Sequence, residues 1–313
     1  MKTISVIVPC FNEEPIVEET NQRLVQVLSS IPDFDYEIIY INDGSKDKTL
    51  EVLWKMAKNN PKVKIISFSK NFGHENATFS GLNEVSGDCV VIIDADLQDP
   101  PELILDMITL WKSGYDVIYA IRKVREGETW LKKATSKLFY RFLRILSDTD
   151  IPLDTGDYRL IDKKVKDALV SLKEKNLFIR GLVSWVGFKQ IGLEYHRSPR
   201  LKGETKYNFI KLTKLAIDSI LAFSNKPLQL SLSFGLFFIL ASFLGITYIL
   251  IGKINNPKVI VEGWASMMIT ILLLGGVQLL SIGILGEYIA RIYSEVKGRP
   301  NYIIESKANF EQK

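Results

Sequence analysis

No charged residue lies between Lys226 and Lys253, and none between Glu262 and Glu287. Each run exceeds the roughly 20 apolar residues that cross the ~30 Å hydrocarbon core of a bilayer, and both outrun an ordinary buried core helix. Two crossings are therefore expected, at 227–252 and 263–286, returning the chain to the side it left. Lys211, Lys214 and Lys226 precede the first run and Arg291, Lys297 and Arg299 follow the second, whereas the connecting loop holds Lys253 and Lys258. By the positive-inside rule, both flanks of this hairpin are expected on the cytoplasmic side, with a tail at 287–313.

The first two thirds of the chain read differently. Runs at 4–8, 36–41, 63–67, 89–93 and 116–120 are apolar on both faces, as in a parallel sheet covered on both sides. The first of them, rich in β-branched residues and closed by Pro9, reads as a strand and fails as a signal peptide. Mixed polar and apolar stretches at 14–28, 48–59 and 76–85 have helical character, so strand and helix alternate and a doubly wound α/β sheet is expected. Ligands of such sheets sit at the carboxyl ends of the strands. Here those ends read PCFNEE, INDGS, SKNFG and DADLQ, all polar or turn-forming.

The net charge of +4 (40 basic, 36 acidic) comes with no basic run interleaved with aromatics, which argues against nucleic acid and suits an anionic small molecule or a lipid head group. Cys10 and Cys89 fall inside expected strands and read as small core residues in a reducing compartment. Two amphipathic stretches remain. Near 131–147, Lys137, Arg141 and Arg144 alternate with Leu138, Phe139, Phe142, Leu143 and Leu146, which fits either a core-facing helix or one lying in a membrane surface. The second, at 206–226, adjoins the first apolar run, and that proximity favours the membrane surface.

Asp94 and Asp96 close the fourth apolar run, and Gln98 follows two residues on. Paired carboxylates at a strand end offer hard oxygen ligands for Mg²⁺ or Mn²⁺ bridging to a diphosphate. The same residues also cap helices and begin turns. Neither GxGxxG nor GxxxxGK[ST] occurs, so the two commonest phosphate-binding fingerprints are absent.

In order along the chain, PCFNEE, NDGS, KNFG, DADLQDPP, GDYRL, RGLVSWVGF and RLKGETKY, followed by two apolar spans, resemble the polyprenyl-phosphate glycosyltransferases of glycosyltransferase family 2, the group of dolichol-phosphate mannose synthases and bacterial undecaprenyl-phosphate glucosyltransferases. The resemblance implies a GT-A (Rossmann-like) catalytic domain at 1–205. It also implies inverting, metal-dependent transfer of a sugar from a nucleotide diphosphate to a lipid phosphate at the cytoplasmic face of the inner membrane. UDP-glucose and undecaprenyl phosphate are the favoured pair; mannose from GDP-mannose, galactose, an N-acetylhexosamine and aminoarabinose stay open, as does a homo-oligomer. A processive synthase would carry QxxRW and more spans, and a scaffold that merely binds nucleotide sugars would have shed charged site residues.

By the same resemblance, Pro9, Phe11, Glu13 and Asp43 face the nucleoside, and Asp94, Asp96 and Gln98 handle metal and diphosphate, with Asp96 the more direct ligand. Arg122, Lys132, Ser136, Arg200 and Lys206 match acceptor-phosphate positions, although Lys132 stands where relatives commonly have arginine. Cations there answer a physical need, because a lipid phosphate must approach an already anionic donor. Asp157 in GDYRL matches the family's catalytic aspartate. A phosphate monoester with second pKa near 6 is largely dianionic at neutral pH and holds little proton to remove. Asp157 is therefore expected to orient the acceptor or Arg159 rather than act chiefly as a base. His74, following KNFG at an expected helix start, suits a ligand contact or equally a cap or surface position, and His196 in a polar stretch carries no assigned role.

Overall fold

The computed structural model describes residues 1–122, 155–172, 174–175, 177–195, 226–255 and 263–310. The stretch at 131–147, nearly all of 206–226, and Lys132, Ser136, Arg200 and Lys206 lie outside the described residues. The described residues divide into two units: the sheet with its covering helices, joined by the final strand, and the two long apolar helices.

The sheet unit starts with β1 (Lys2–Cys10), β2 (Phe34–Asn42), β3 (Val63–Phe68) and β4 (Cys89–Ile92), alternating with α1 (Val17–Ser29), α2 (Thr49–Asn59) and α3 (His74–Glu84). Valine and isoleucine dominate these strands, and branching at Cβ suits the pleated, covered surface they form. Ile4, Val6, Val8, Ile38, Tyr40, Ile65 and Val91 are fully buried together with Cys10 and Cys89, which are free thiols in the core. β1 pairs in parallel with both β2 and β4, and β2 with β3, so four strand ends open on one edge of the sheet.

Beyond β4 the chain departs from an all-parallel sheet. After α4 (Leu103–Lys112) comes β5 (Val117–Arg122), then β6 (Thr155–Asp162), α5 (Lys163–Ser171), α6 (Ile179–Trp185) and β7 (Gln190–Tyr195). The strand order is β7-β5-β6-β4-β1-β2-β3 followed by β8 (Ile304–Ala308), eight strands in all among the described residues. β6 wedges antiparallel between β4 and β5, so the expected fifth parallel neighbour is displaced by one strand. Local patterning cannot foresee this, because insertion is decided by pairing across more than sixty residues rather than by the period of any one segment. The mixed sheet is that of the GT-A class.

The second unit consists of α7 (Lys226–Asn255) and α8 (Trp264–Val296). Both are long and apolar enough to cross a bilayer, over Leu228–Gly245 and Thr270–Val296, and neither window is buried within the protein. α8 runs about three turns past the 286 boundary expected from charge spacing, and carries Glu287 and Arg291 as an i,i+4 ion pair at 3.7 Å. The residues after Pro300, which give no chemical signal in the sequence, are structured as far as Phe310. Their strand, β8, pairs antiparallel with β3 and closes that edge of the sheet.

Candidate active site

Four loops leave the carboxyl ends of β1 to β4, and side chain to backbone hydrogen bonds lace them together. Asn12 N–H donates to Ser45 Oγ at 3.0 Å, Lys46 N–H to Asn12 Oδ1 at 2.8 Å, and Glu13 N–H to Thr49 Oγ1 at 2.9 Å. The PCFNEE loop is thus strapped to the NDGS loop, with Asn12 in the left-handed region at φ 57°. Pro9 is buried and Phe11 and Glu13 half-buried on that strap.

Asp43 is buried at the end of β2. The Phe72 amide donates to its Oδ1 at 2.6 Å, and Asn71 Nδ2 and the Gly73 amide donate to its Oδ2 at 2.8 and 3.0 Å. Expected to face a nucleoside base, this carboxylate spends much of its acceptor capacity on the KNFG loop and the start of α3. Burial raises its pKa, against the lowering pull of those amides and of His74.

The DADLQDPP loop is held from three sides. Thr20 Oγ1 on α1 donates to Ala95 O at 2.7 Å, Tyr158 Oη on β6 donates to Pro100 O at 2.9 Å, and Tyr195 Oη on β7 donates to buried Asp99. Leu97 sits in the left-handed region at φ 54°. For a bulky residue that is strained by about 1 kcal/mol or more, the kind of outlier found at ligand sites. Asp96 Oδ1 accepts from the Gln98 amide at 3.1 Å, which is the turn-forming reading of this aspartate.

β6 supplies the centre. Its register with β4 pairs Ile92 with Arg159; continued two residues, it sets Asp157 opposite Asp94 on the same face. His74, the first residue of α3, comes between them, with Nε2 3.3 Å from Asp157 Oδ2 and 3.7 Å from Asp94 Oδ1. Arg180 on α6 holds the other oxygen, Nε to Asp157 Oδ1 at 3.0 Å, and donates from Nη1 to Thr155 O at 3.2 Å. Glu75 locks α3 to α6 by accepting from the Ile179 amide at 3.0 Å.

These contacts decide the electrostatics. For Asp157, burial favours the neutral acid, but Arg180 and His74 outweigh it and hold the carboxyl well below the usual carboxylate range. For His74, burial opposes the charge, while the bond to Asp157 and the field of Asp94 raise its pKa. Asp94 is pushed up to about 6 by burial, with His74 pulling down and the charges of Asp157, Asp96 and Asp99 pushing up. A carboxylate so crowded by others is short of positive charge, and a divalent cation fits there. Among the described residues no group of three or more His, Cys, Asp or Glu side chains is arranged to hold a metal alone. Two hard carboxylates with Gln98 suit an ion that completes its shell with water and phosphate oxygens.

The Asp157 carboxylate, expected to orient the acceptor or Arg159, pairs with His74 and Arg180, and it is the backbone oxygen of Asp157 that meets Arg159. Arg159 is buried, and donates from Nε to the backbone oxygen of Asp157 at 3.2 Å and from Nη2 to that of Gly156 at 3.0 Å. Arg122 ends β5 opposite Tyr195, with its side chain outside the described residues. Arg180 carries no role in the sequence reading, and His74 only an open choice between a ligand contact and a cap or surface position. The signal available for them was position: His74 directly follows KNFG at a strand end, and Arg180 opens RGLVSWVGF.

Residues 5–169 match the glycosyl transferase family 2 profile, and residues 226–292 match the GtrB C-terminal hairpin. The chain belongs to glycosyltransferase family 2 and is a glycosyltransferase. It is 50% identical to the uncharacterized glycosyltransferase YkcC of Bacillus subtilis, over 99% of this chain and 95% of that protein. It is 42% identical to the bactoprenol glucosyl transferase of Shigella phage SfX, over 97% and 99% respectively. Among solved structures, glucosyl-3-phosphoglycerate synthase from Mycobacterium tuberculosis aligns at TM-score 0.47 and 20% identity, over 71% of this chain and 79% of that one.

Proposed function

We propose that this glycosyltransferase moves glucose from UDP-glucose, with inversion, onto the phosphate of undecaprenyl phosphate at the cytoplasmic face of the membrane. The observation that carries the reading is the similarity to bactoprenol glucosyl transferases, which extends through both the catalytic segment and the hairpin. A phosphate oxygen of the lipid attacks the anomeric carbon as the bond to UDP breaks. The donor would lie across the four strand ends, its nucleoside against Pro9, Phe11, Glu13 and the Asp43 loop and its diphosphate near Asp94, Asp96 and Gln98. Those three residues would hold Mg²⁺ or Mn²⁺, which when bound neutralises the departing diphosphate.

The chain's own residues then do the positioning. Because the acceptor is dianionic, the reaction needs no strong base. Asp157, clamped by two cations, is a poor one. It fixes the His74 imidazole and the Arg180 guanidinium beside the reacting centre, where their charges offset the surrounding carboxylates. Arg122, Lys132, Ser136, Arg200 and Lys206 would receive the acceptor phosphate. The two apolar helices and the amphipathic stretches would keep the catalytic unit at the surface where that phosphate lies.

The test is transfer of radiolabelled sugar into a chloroform-soluble product by membranes containing the full chain and undecaprenyl phosphate. Label from UDP-glucose should enter the lipid, and chelation of divalent metal should stop it. Label entering only from GDP-mannose or another donor would refute the sugar assignment, and label entering polymer instead of lipid would refute the acceptor.

A further inference from the structure

The residues after α8 lie outside both matched family segments, yet they are built into the sheet at a telling place. β8 runs along β3 as far as Phe68, and the Ser69 amide donates to Ile303 O at 3.1 Å. Pairing therefore continues to the first residue of the SKNFG loop. Tyr302 stacks on buried Phe68 with ring centroids 5.0 Å apart and planes at 14°, and Phe68 meets Phe72 edge to face at 5.7 Å and 89°. Phe72 is the residue whose amide donates to Asp43 Oδ1 at 2.6 Å.

The other side of the loop is equally tight. Gly44 has φ +64°, and a Cβ there would stand 2.3 Å from the carbonyl carbon of Lys70 and 2.5 Å from the Asn71 nitrogen. The NDGS turn, the KNFG loop and the segment around Tyr302 thus form three packed layers. Displacing the outer layer lets the middle one move, and with it the amides that aim the Asp43 carboxylate.

We propose that Tyr302 is a positioning residue for the nucleotide half of the donor, so that a residue beyond the apolar hairpin in sequence completes the backing of the nucleoside pocket. The proposal deepens the assignment of Asp43 to the nucleoside and rests on it. An aromatic pair of this geometry is worth about a two- to tenfold change in an equilibrium. Nucleotide affinity should shift by up to that factor if the loop relaxes when the stack is lost.

The experiment measures UDP binding by calorimetry, with donor and acceptor kinetics, on the full chain in detergent with Mg²⁺. Tyr302→Ala should weaken UDP about three- to tenfold and raise the donor KM in step. Its kcat and its KM for undecaprenyl phosphate should stay within about twofold. Tyr302→Phe keeps the ring, loses only a 3.4 Å bond from Asn83 Nδ2, and should bind as wild type. Lys307→Ala removes a 2.7 Å ion pair between β8 and Glu84 of α3 and should also leave UDP affinity unchanged. Should Tyr302→Ala not fold, Tyr302→Leu, which keeps apolar bulk without stacking, is read in the same way. Wild-type UDP affinity in Tyr302→Ala, beside weakened affinity in Asp43→Ala, would overturn the proposal while leaving the donor site intact. Equal weakening by Lys307→Ala would overturn it as a general effect of strand stability. Wild-type affinity in Asp43→Ala would overturn the nucleoside assignment itself and the proposal with it.

Discussion

Removing the charge of Arg180 tests whether Asp157 orients or deprotonates. The Nε to Oδ1 distance of 3.0 Å corresponds to about 5 kcal/mol of gross attraction at an effective dielectric constant of ~20. The side chains are 26% and 21% exposed, and His74 still faces the second oxygen. Much of the gross figure is therefore returned as solvation, and Arg180→Gln should cost roughly 1–3 kcal/mol of folding stability, below the 3–5 kcal/mol of a fully buried broken pair. Asp157 should also gain a more ordinary pKa and freedom to rotate. If Asp157 is a base, raising its pKa makes it a better one, while it remains ionised at neutral pH, so turnover should hold or rise. If it orients, loss of the clamp should lower kcat about 10- to 100-fold, the scale expected when reacting groups are displaced by about 1 Å. Arg180→Lys, which keeps the charge but not the fork, should recover part of the rate. The assay is lipid-linked transfer at saturating donor across pH 6 to 9, with UDP affinity as the check on an intact donor site. Arg180→Gln turning over as fast as wild type would refute the orienting role.

Asp96→Ala should abolish metal-dependent transfer, with a loss of more than about 100-fold that extra Mg²⁺ or Mn²⁺ does not restore; full activity in magnesium would remove this residue from the metal site. Gly44→Ala should destabilise the sheet unit by about 2 kcal/mol or more and weaken UDP, because its methyl would overlap the Lys70 backbone at a positive φ; urea unfolding and calorimetry read the two effects. The acid side of the stability profile should be shaped by Glu37, buried between Ser5, Ser86 and Lys64. Burial pushes its pKa up, but the bonds from Lys64, Ser5 and the Ser86 amide prevail and lower it from 4.5. A folded pKa below the unfolded one means stability that is fully present above about 4.5 and lost as pH falls through the folded value. The melting temperature of wild type should therefore fall more steeply than that of Glu37→Gln on going from pH 6 to pH 3; parallel slopes would exclude the contribution.

Strand and helix positions in the first hundred residues followed from local composition. Val6, Ile7 and Val8 or Val90, Val91 and Ile92 are buried on whichever face they point to, and that burial shows in the chain as an unbroken apolar run. The two hairpin helices were visible for the same reason, since a bilayer demands length and absence of charge and nothing more specific. The carboxylates Asp94 and Asp96 were legible because parallel strand ends are where such sheets bind ligands. Even the ordered motifs around Asp157, His74 and Arg180 could be recognised as a family pattern without disclosing which side chains touch.

That last step belonged to tertiary structure. Asp94 and Asp157 lie sixty-three positions apart and become neighbours only because β6 enters the sheet antiparallel, in the register that pairs Ile92 with Arg159. His74 reads as a helix start until that register sets a second carboxylate within 3.3 Å of it. The residues after Pro300 give no chemical signal until β8 finds the open edge of β3 and Tyr302 lies on Phe68. Period and composition act over a few residues and can be read there. Register and edge pairing are chosen by the free energy of the assembled sheet, and no local stretch of chain contains that choice.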